Sequence, residues 1–74
     1  MSARPPYRRH LAQMIVQILA RRARLQQPEA TVQDLTRALS RQKSSVLYAL
    51  NTLIREGRVG KRNDKGVALY RLED

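Results

Sequence analysis

The sequence predicts a single α+β domain, three helices followed by a C-terminal β-hairpin, and three observations carry that prediction. Thr31–Gly57, TVQDLTRALSRQKSSVLYALNTLIREG, reads as helix, tight turn, helix. Arg58–Leu72, RVGKRNDKGVALYRL, then switches to strand-forming residues on either side of turn residues. Ahead of both lies one long segment with apolar residues at helical spacing. Seventy-four residues make one small domain with room for one modest core.

The first helix is expected from about Tyr7 to Leu25. Leu11, Ile15, Ile18, Leu19 and Arg22 recur at helical spacing, flanked by Ala12 and Val16. Arg21, Arg22 and Arg24 suit the negative pole of the helix dipole. Gln26-Gln27-Pro28-Glu29 is a linker stopped by its proline. Residues 1–6 are expected as a flexible basic arm and residues 7–74 as the folded domain. Arg4, with Arg8 and Arg9 just beyond it, makes this end of the chain basic.

Thr31 begins the second helix. Thr31-Val32-Gln33-Asp34 places a capping hydroxyl three positions before an acid, as in a capping box. Ala30–Val32 also suits a short strand. Val32, Leu35, Ala38 and Leu39 then form one apolar face. Ser40 is expected to cap the third helix, which would run from about Arg41 to Glu56 and stop at Gly57. So short a connector forces a sharp crossing of the two helices. Val46, Ala49, Leu50, Leu53 and Ile54 must face inward, with Leu47 at the margin. Two strands follow, Arg58–Lys61 and Val67–Leu72, joined by Asn63-Asp64-Lys65-Gly66. Tyr70 and Leu72 share the strand face that closes the core.

Charge is the outlier in the composition. Fifteen Lys and Arg against six Asp and Glu give a net charge of +9, and twelve of the cations are arginine. Such an excess opposes compaction and points to a polyanionic partner. Arginine can hold a phosphate or a guanine edge with two hydrogen bonds. A membrane surface fits poorly, because a basic amphipathic helix for that purpose uses Trp or Phe and the chain has neither. No run reaches the roughly 18 apolar residues of a membrane span. Leu11–Ala20 is interrupted by two glutamines and followed by Arg-Arg-Ala-Arg, unlike a cleaved leader. The absence of cysteine excludes disulfides and thiolate metal sites. The expected location is cytoplasmic, in association with the nucleoid.

Candidate binding residues concentrate on the third helix. Its first turns hold Arg41, Gln42, Lys43, Ser44 and Ser45, with Tyr48, Asn51 and Arg55 further along the same side. A helix entering a major groove needs long polar side chains there. Arginine suits guanine, Asn and Gln suit adenine, and serine or tyrosine hydroxyls suit phosphates. The hairpin adds Lys61, Arg62, Asn63 and Lys65, a tip suited to backbone or minor-groove contact. Asp64 is expected to face away from it. His10 has no second His or Cys to make a metal site or a catalytic pair, and the scattered carboxylates form no acid/base pair. No enzyme activity, cofactor or metal is expected.

With these residues placed, the chain resembles a winged helix-turn-helix DNA-binding domain over nearly its full length. Within that superfamily it is similar to small stand-alone regulators of bacterial pilus operons. The likeness lies in length, the Ala38-Leu39-Ser40 turn, the Arg55-Glu56-Gly57 end of the third helix and the Lys65-Gly66-Val67-Ala68-Leu69-Tyr70 strand. It also resembles the helix-turn-helix of Z-DNA-binding domains, which carry Asn and Tyr on the recognition helix and Trp in the wing. Alignment on Leu39 and Gly57 puts Leu47 and Asn51 at those positions, and the chain has no Trp, so that reading is rejected. The resemblance implies a winged-helix fold and double-stranded DNA binding in transcriptional regulation, with helix 41–56 in the major groove and wing 61–66 on the backbone. A homodimer or a protein partner is compatible with it. The competing class is a winged-helix module for protein or RNA. Three tyrosines are too few for a base-stacking platform, and only Met14, Leu47 and Val67 suggest an apolar patch.

Overall fold

Periodicity in the first third of the chain becomes helix α1, Tyr7–Arg24, in a computed structural model that describes residues 7–73. The expected arm 1–6, with Arg4, and the last residue, Asp74, lie outside the described residues, as do the side chains of Arg8 and Arg9. Leu11, Ile15 and Leu19 form the buried stripe of α1, while Met14, Val16 and Ile18 pack partly against the core. The helix does not wait for Pro28 to stop. Gln26 takes a left-handed φ of 64°. The Gln26 amide donates to the Ala23 carbonyl at 3.1 Å and the Gln27 amide to the Arg22 carbonyl at 2.8 Å. This bond pair terminates helices at a left-handed residue, a place usually given to glycine.

Helix α2, Val32–Leu39, starts as its sequence requires. The Asp34 amide donates to Thr31 Oγ1 at 3.0 Å, and the Thr31 amide donates to Asp34 Oδ2 at 3.1 Å. Both bonds of the capping box are therefore made. Leu35 and Leu39 are its buried residues.

The expected role of Ser40 is corrected. It adopts φ 54° and ψ 45° and closes the C-terminus of α2, its amide donating to the Thr36 carbonyl. Helix α3 begins only at Lys43 and runs to Arg55, two residues later and one residue earlier than the expected span 41–56. The reason is geometric: a left-handed Ser40 and an extended Gln42, at φ −70° and ψ 148°, are needed to turn the chain between helices. Gln42 is the N-cap and makes no side-chain capping bond. At the other end Gly57 has φ 77°, its amide donates to Ile54 and the Arg58 amide donates to Leu53, completing the expected glycine stop.

The hairpin is longer and its turn tighter than expected. Strand β1 is Val59–Asp64 and β2 is Val67–Leu72, antiparallel, with Val59 opposite Leu72 and Asp64 opposite Val67. Asn63 and Asp64, expected in the turn, are paired strand residues. Only Lys65 and Gly66 turn the chain, at φ 54° and 83°. Two consecutive positive φ values make the tight turn whose twist matches the strands. On the other side of β2, Ala30 forms a single antiparallel bridge with Tyr70, their amides and carbonyls exchanging bonds of 2.9 and 2.8 Å. The strand expected at Ala30–Val32 is thus one bridging residue.

All elements close on one core. Ile15 and Leu19 of α1, Leu35 of α2, and Val46, Leu50 and Leu53 of α3 are essentially sealed from solvent, with Val59 and Tyr70 closing the sheet side. No polar or charged residue is buried among the described residues. Truncating one of these leucines to alanine would cost about 2–5 kcal/mol.

Candidate nucleic-acid interface

The packing of α3 decides which of its side chains are offered to a partner. Val46, Ala49, Leu50 and Leu53 take the inner face. Lys43, Ser44, Ser45, Tyr48, Asn51 and Arg55 are all exposed, as are Arg41 and Gln42 in the turn before the helix. Ser44, Tyr48, Asn51 and Arg55 are separated by four, three and four residues, so they form one stripe about 16 Å long. Tyr48 stands 52% exposed on this stripe, as its helical phase requires, and does not lean into the core. The Thr52 hydroxyl is turned back to the Tyr48 carbonyl at 3.1 Å. No acid lies on α3.

Strand register sorts the hairpin residues that the sequence grouped together. Directly opposed residues share a face of the sheet. Lys61 faces Tyr70 across the strands and Asn63 faces Ala68, so both lie on the side that Tyr70 turns to the core. Arg62 faces Leu69, and Asp64 faces Val67, on the opposite, outer side. Lys65 sits in the turn itself. A shallow groove joins this tip to the recognition-helix candidate: Val32 and Thr36 of α2, Lys43 and Leu47 of α3, and Val67 and Ala68 of β2 line it. The start of α3 and the hairpin tip are therefore neighbours.

Arg62 differs from the other candidates in already having an anionic partner. Its Nη2 donates to Glu29 Oε1 at 2.9 Å, and its Nε donates to Glu29 Oε2. This bond holds the Glu29 carboxyl below its usual range and raises the Arg62 guanidinium further. Sequence reasoning missed the pair because 33 residues separate the two. It also missed Arg22, whose Nη2 donates to the Glu29 carbonyl at 2.8 Å and lies 3.7 Å from Asp34. The apolar stripe of α1 carried the only hint, since Arg22 stands at its end.

Charge on the sheet's outer face cancels. Arg62 and Arg71 point outward by register, and Arg58 continues that column where the Glu73 amide donates to its carbonyl at 2.9 Å. Against these three cations stand Glu29, Asp64 and Glu73, whose carboxylate lies over Gly60. The α3 side holds Arg41, Lys43 and Arg55, and neither of the two ion pairs among the described residues involves them. No group of metal-ligating side chains occurs among the described residues. None of the described helices is long and apolar enough to cross a membrane.

A three-helix bundle whose second and third helices form a helix-turn-helix, followed by a β-hairpin beside the third, is the winged-helix fold. No protein-family model matches the chain, and no curated protein matches it significantly. One solved structure is similar: it comes from work on the DNA recognition and protein interaction domains of HOP2 and their homologous DNA pairing. The likeness has a TM-score of 0.70 over 85% of this chain and 98% of that one, at 21% sequence identity. Identity that low speaks to the fold, and the fold agrees with the one the sequence predicts.

Proposed function

We propose that this chain binds double-stranded DNA and regulates transcription, in the manner of the small stand-alone pilus-operon regulators that its sequence resembles. Helix α3 enters the major groove, and Lys61, Asn63 and Lys65 of the hairpin follow the flanking backbone. The observation that carries this reading is the one-sided charge: an acid-free polar face on α3, against an outer sheet face whose charges cancel. Lys43, Ser44 and Ser45 stand at the start of α3, where the helix dipole favours phosphate and where Gln42 places no capping side chain. Tyr48, Asn51 and Arg55 continue the stripe toward base edges and the backbone. Arg41 and Gln42 approach from the preceding turn rather than from within the helix. The similar fold of the HOP2 structure, described for DNA recognition, supports the same reading.

Fluorescence-anisotropy titration of random-sequence duplex DNA at two salt concentrations tests it. Binding is expected to fall by about 0.9 log units per log unit of salt for each phosphate neutralised. No binding at low salt would sink the proposal. Replacing both Lys43 and Tyr48 by alanine is expected to abolish sequence preference while the melting transition stays cooperative.

One observation favours a second reading. The groove between α2, α3 and β2 has apolar walls at Val32, Leu47, Val67 and Ala68, and Val67 is 48% exposed. A protein segment seated there would make the chain an interaction module, and the HOP2 work also concerns protein interaction. Leu47→Gln separates the two, because it adds no charge to α3: it would weaken capture of a protein segment in that groove and spare duplex binding.

A further inference from the structure

We propose that Glu29 and Arg62 position the hairpin for DNA rather than touching it, with Glu29 as the residue that sets the wing's place against the helical body. This rests on the DNA-binding reading above. The order across the sheet is linker, β2, β1, because Ala30 bridges β2 on one side and β1 pairs with it on the other. Glu29 precedes Ala30 and Arg62 stands on the far strand, so their two hydrogen bonds pass over β2 and tie the edge strand to the linker. Glu29 is itself held from behind, its carbonyl accepting from Arg22, which also stands 3.7 Å from Asp34 of the α2 capping box. A two-stranded hairpin is marginal alone. A strap from α1 and α2 to its outer strand, one residue before Asn63, limits how far the tip swings from α3.

The register supports positioning over contact. Arg62 lies on the face opposite to Lys61 and Asn63, and on that face its guanidinium is already engaged by the Glu29 carboxylate. The competing assignment is that Glu29 merely shields a phosphate-binding arginine. The two differ in sign, because Glu29→Gln raises a net charge that is already +9.

Duplex titrations at several salt concentrations on the wild type, Glu29→Gln, Arg62→Gln and the double variant decide between them, with circular dichroism confirming that each is folded. Positioning requires each single variant to bind about two- to five-fold more weakly, the range an exposed ion pair controls. The double variant should be no weaker than either single one, and the salt slope should not move. Tighter binding by Glu29→Gln, or an Arg62→Gln slope shallower by about 0.9, overturns the proposal. Absence of any wild-type binding would instead refute the DNA reading. The strap would then be judged by nitrogen-15 relaxation at Asn63–Gly66. Faster motion in Glu29→Gln upholds it, and unchanged relaxation refutes it.

Discussion

Gln26 and Gly57 end their helices in the same left-handed conformation with different side chains, at φ 64° and 77°. A residue with a Cβ loses about 1–2 kcal/mol there, and glycine's extra freedom in the unfolded chain returns part of that. Gln26→Gly is therefore expected to stabilise the domain by about 0.5–1 kcal/mol, or a few degrees in melting temperature. Gly57→Ala should cost a similar amount, since its added methyl meets nothing and only the backbone suffers. Equal melting temperatures for Gln26→Gly and wild type would refute the first expectation. Asp34 carries a pH dependence. The Thr31 amide, and after it the Thr31 hydroxyl and the Arg22 and Arg37 charges, hold its carboxyl below the ordinary 3.8 against a desolvation penalty. A depressed folded-state pKa contributes stability above the unfolded value and loses it as pH falls through the folded one. The stability gap between wild type and Asp34→Asn should thus be full near neutrality and close below about pH 3.8. Urea melts across the acid range would show parallel curves if the capping box contributed nothing.

Among the elements, α3 is the one whose start breaks the local rules. Its N-cap, Gln42, makes no capping bond, whereas α2 has a complete box. Gln42→Ser should supply the missing acceptor and stabilise the fold by about 1 kcal/mol, measurable as a raised melting temperature. A lowered or unchanged value would mean that Gln42 supports the turn in some other way. A weak cap on an exposed, acid-free helix start fits a surface kept open to a partner. Legibility varied with the same logic. The existence and face of each helix were readable, because Leu11, Ile15 and Leu19, or Val46, Leu50 and Leu53, repeat at helical period. The start of α3 was not, because Ser40 looks like an N-cap and acts as a left-handed C-terminus. The hairpin turn was misplaced for a related reason. Asn63-Asp64 have turn chemistry, but they extend the ladder opposite Ala68 and Val67, and only Lys65-Gly66, both at positive φ, are left to turn.

Over the whole molecule, the net charge of +9 matters less than its distribution. Arg58 and Arg71 lie on the face where acids offset cations, and Lys43 and Arg55 lie on a helix that carries no acid. In duplex-binding titrations, Lys43→Gln and Arg55→Gln should each flatten the salt dependence by about 0.9. Arg58→Gln and Arg71→Gln should leave it nearly unchanged. Equal effects from all four would mean that DNA senses total charge and that the proposed face has no privilege.

Periodicity, capping chemistry and composition were enough, within the sequence alone, to determine three helices, a hairpin, the inward faces and the cationic excess. These are local properties, written in residues three or four apart or in bulk counts. Tertiary structure alone decided which cations remain available. Arg22 joins α1 to the linker and the α2 cap, and Arg62 joins the hairpin to Glu29 across 33 residues. Such partners meet only when the sheet forms on the bundle. No spacing rule in the chain records a contact that closure of the fold creates.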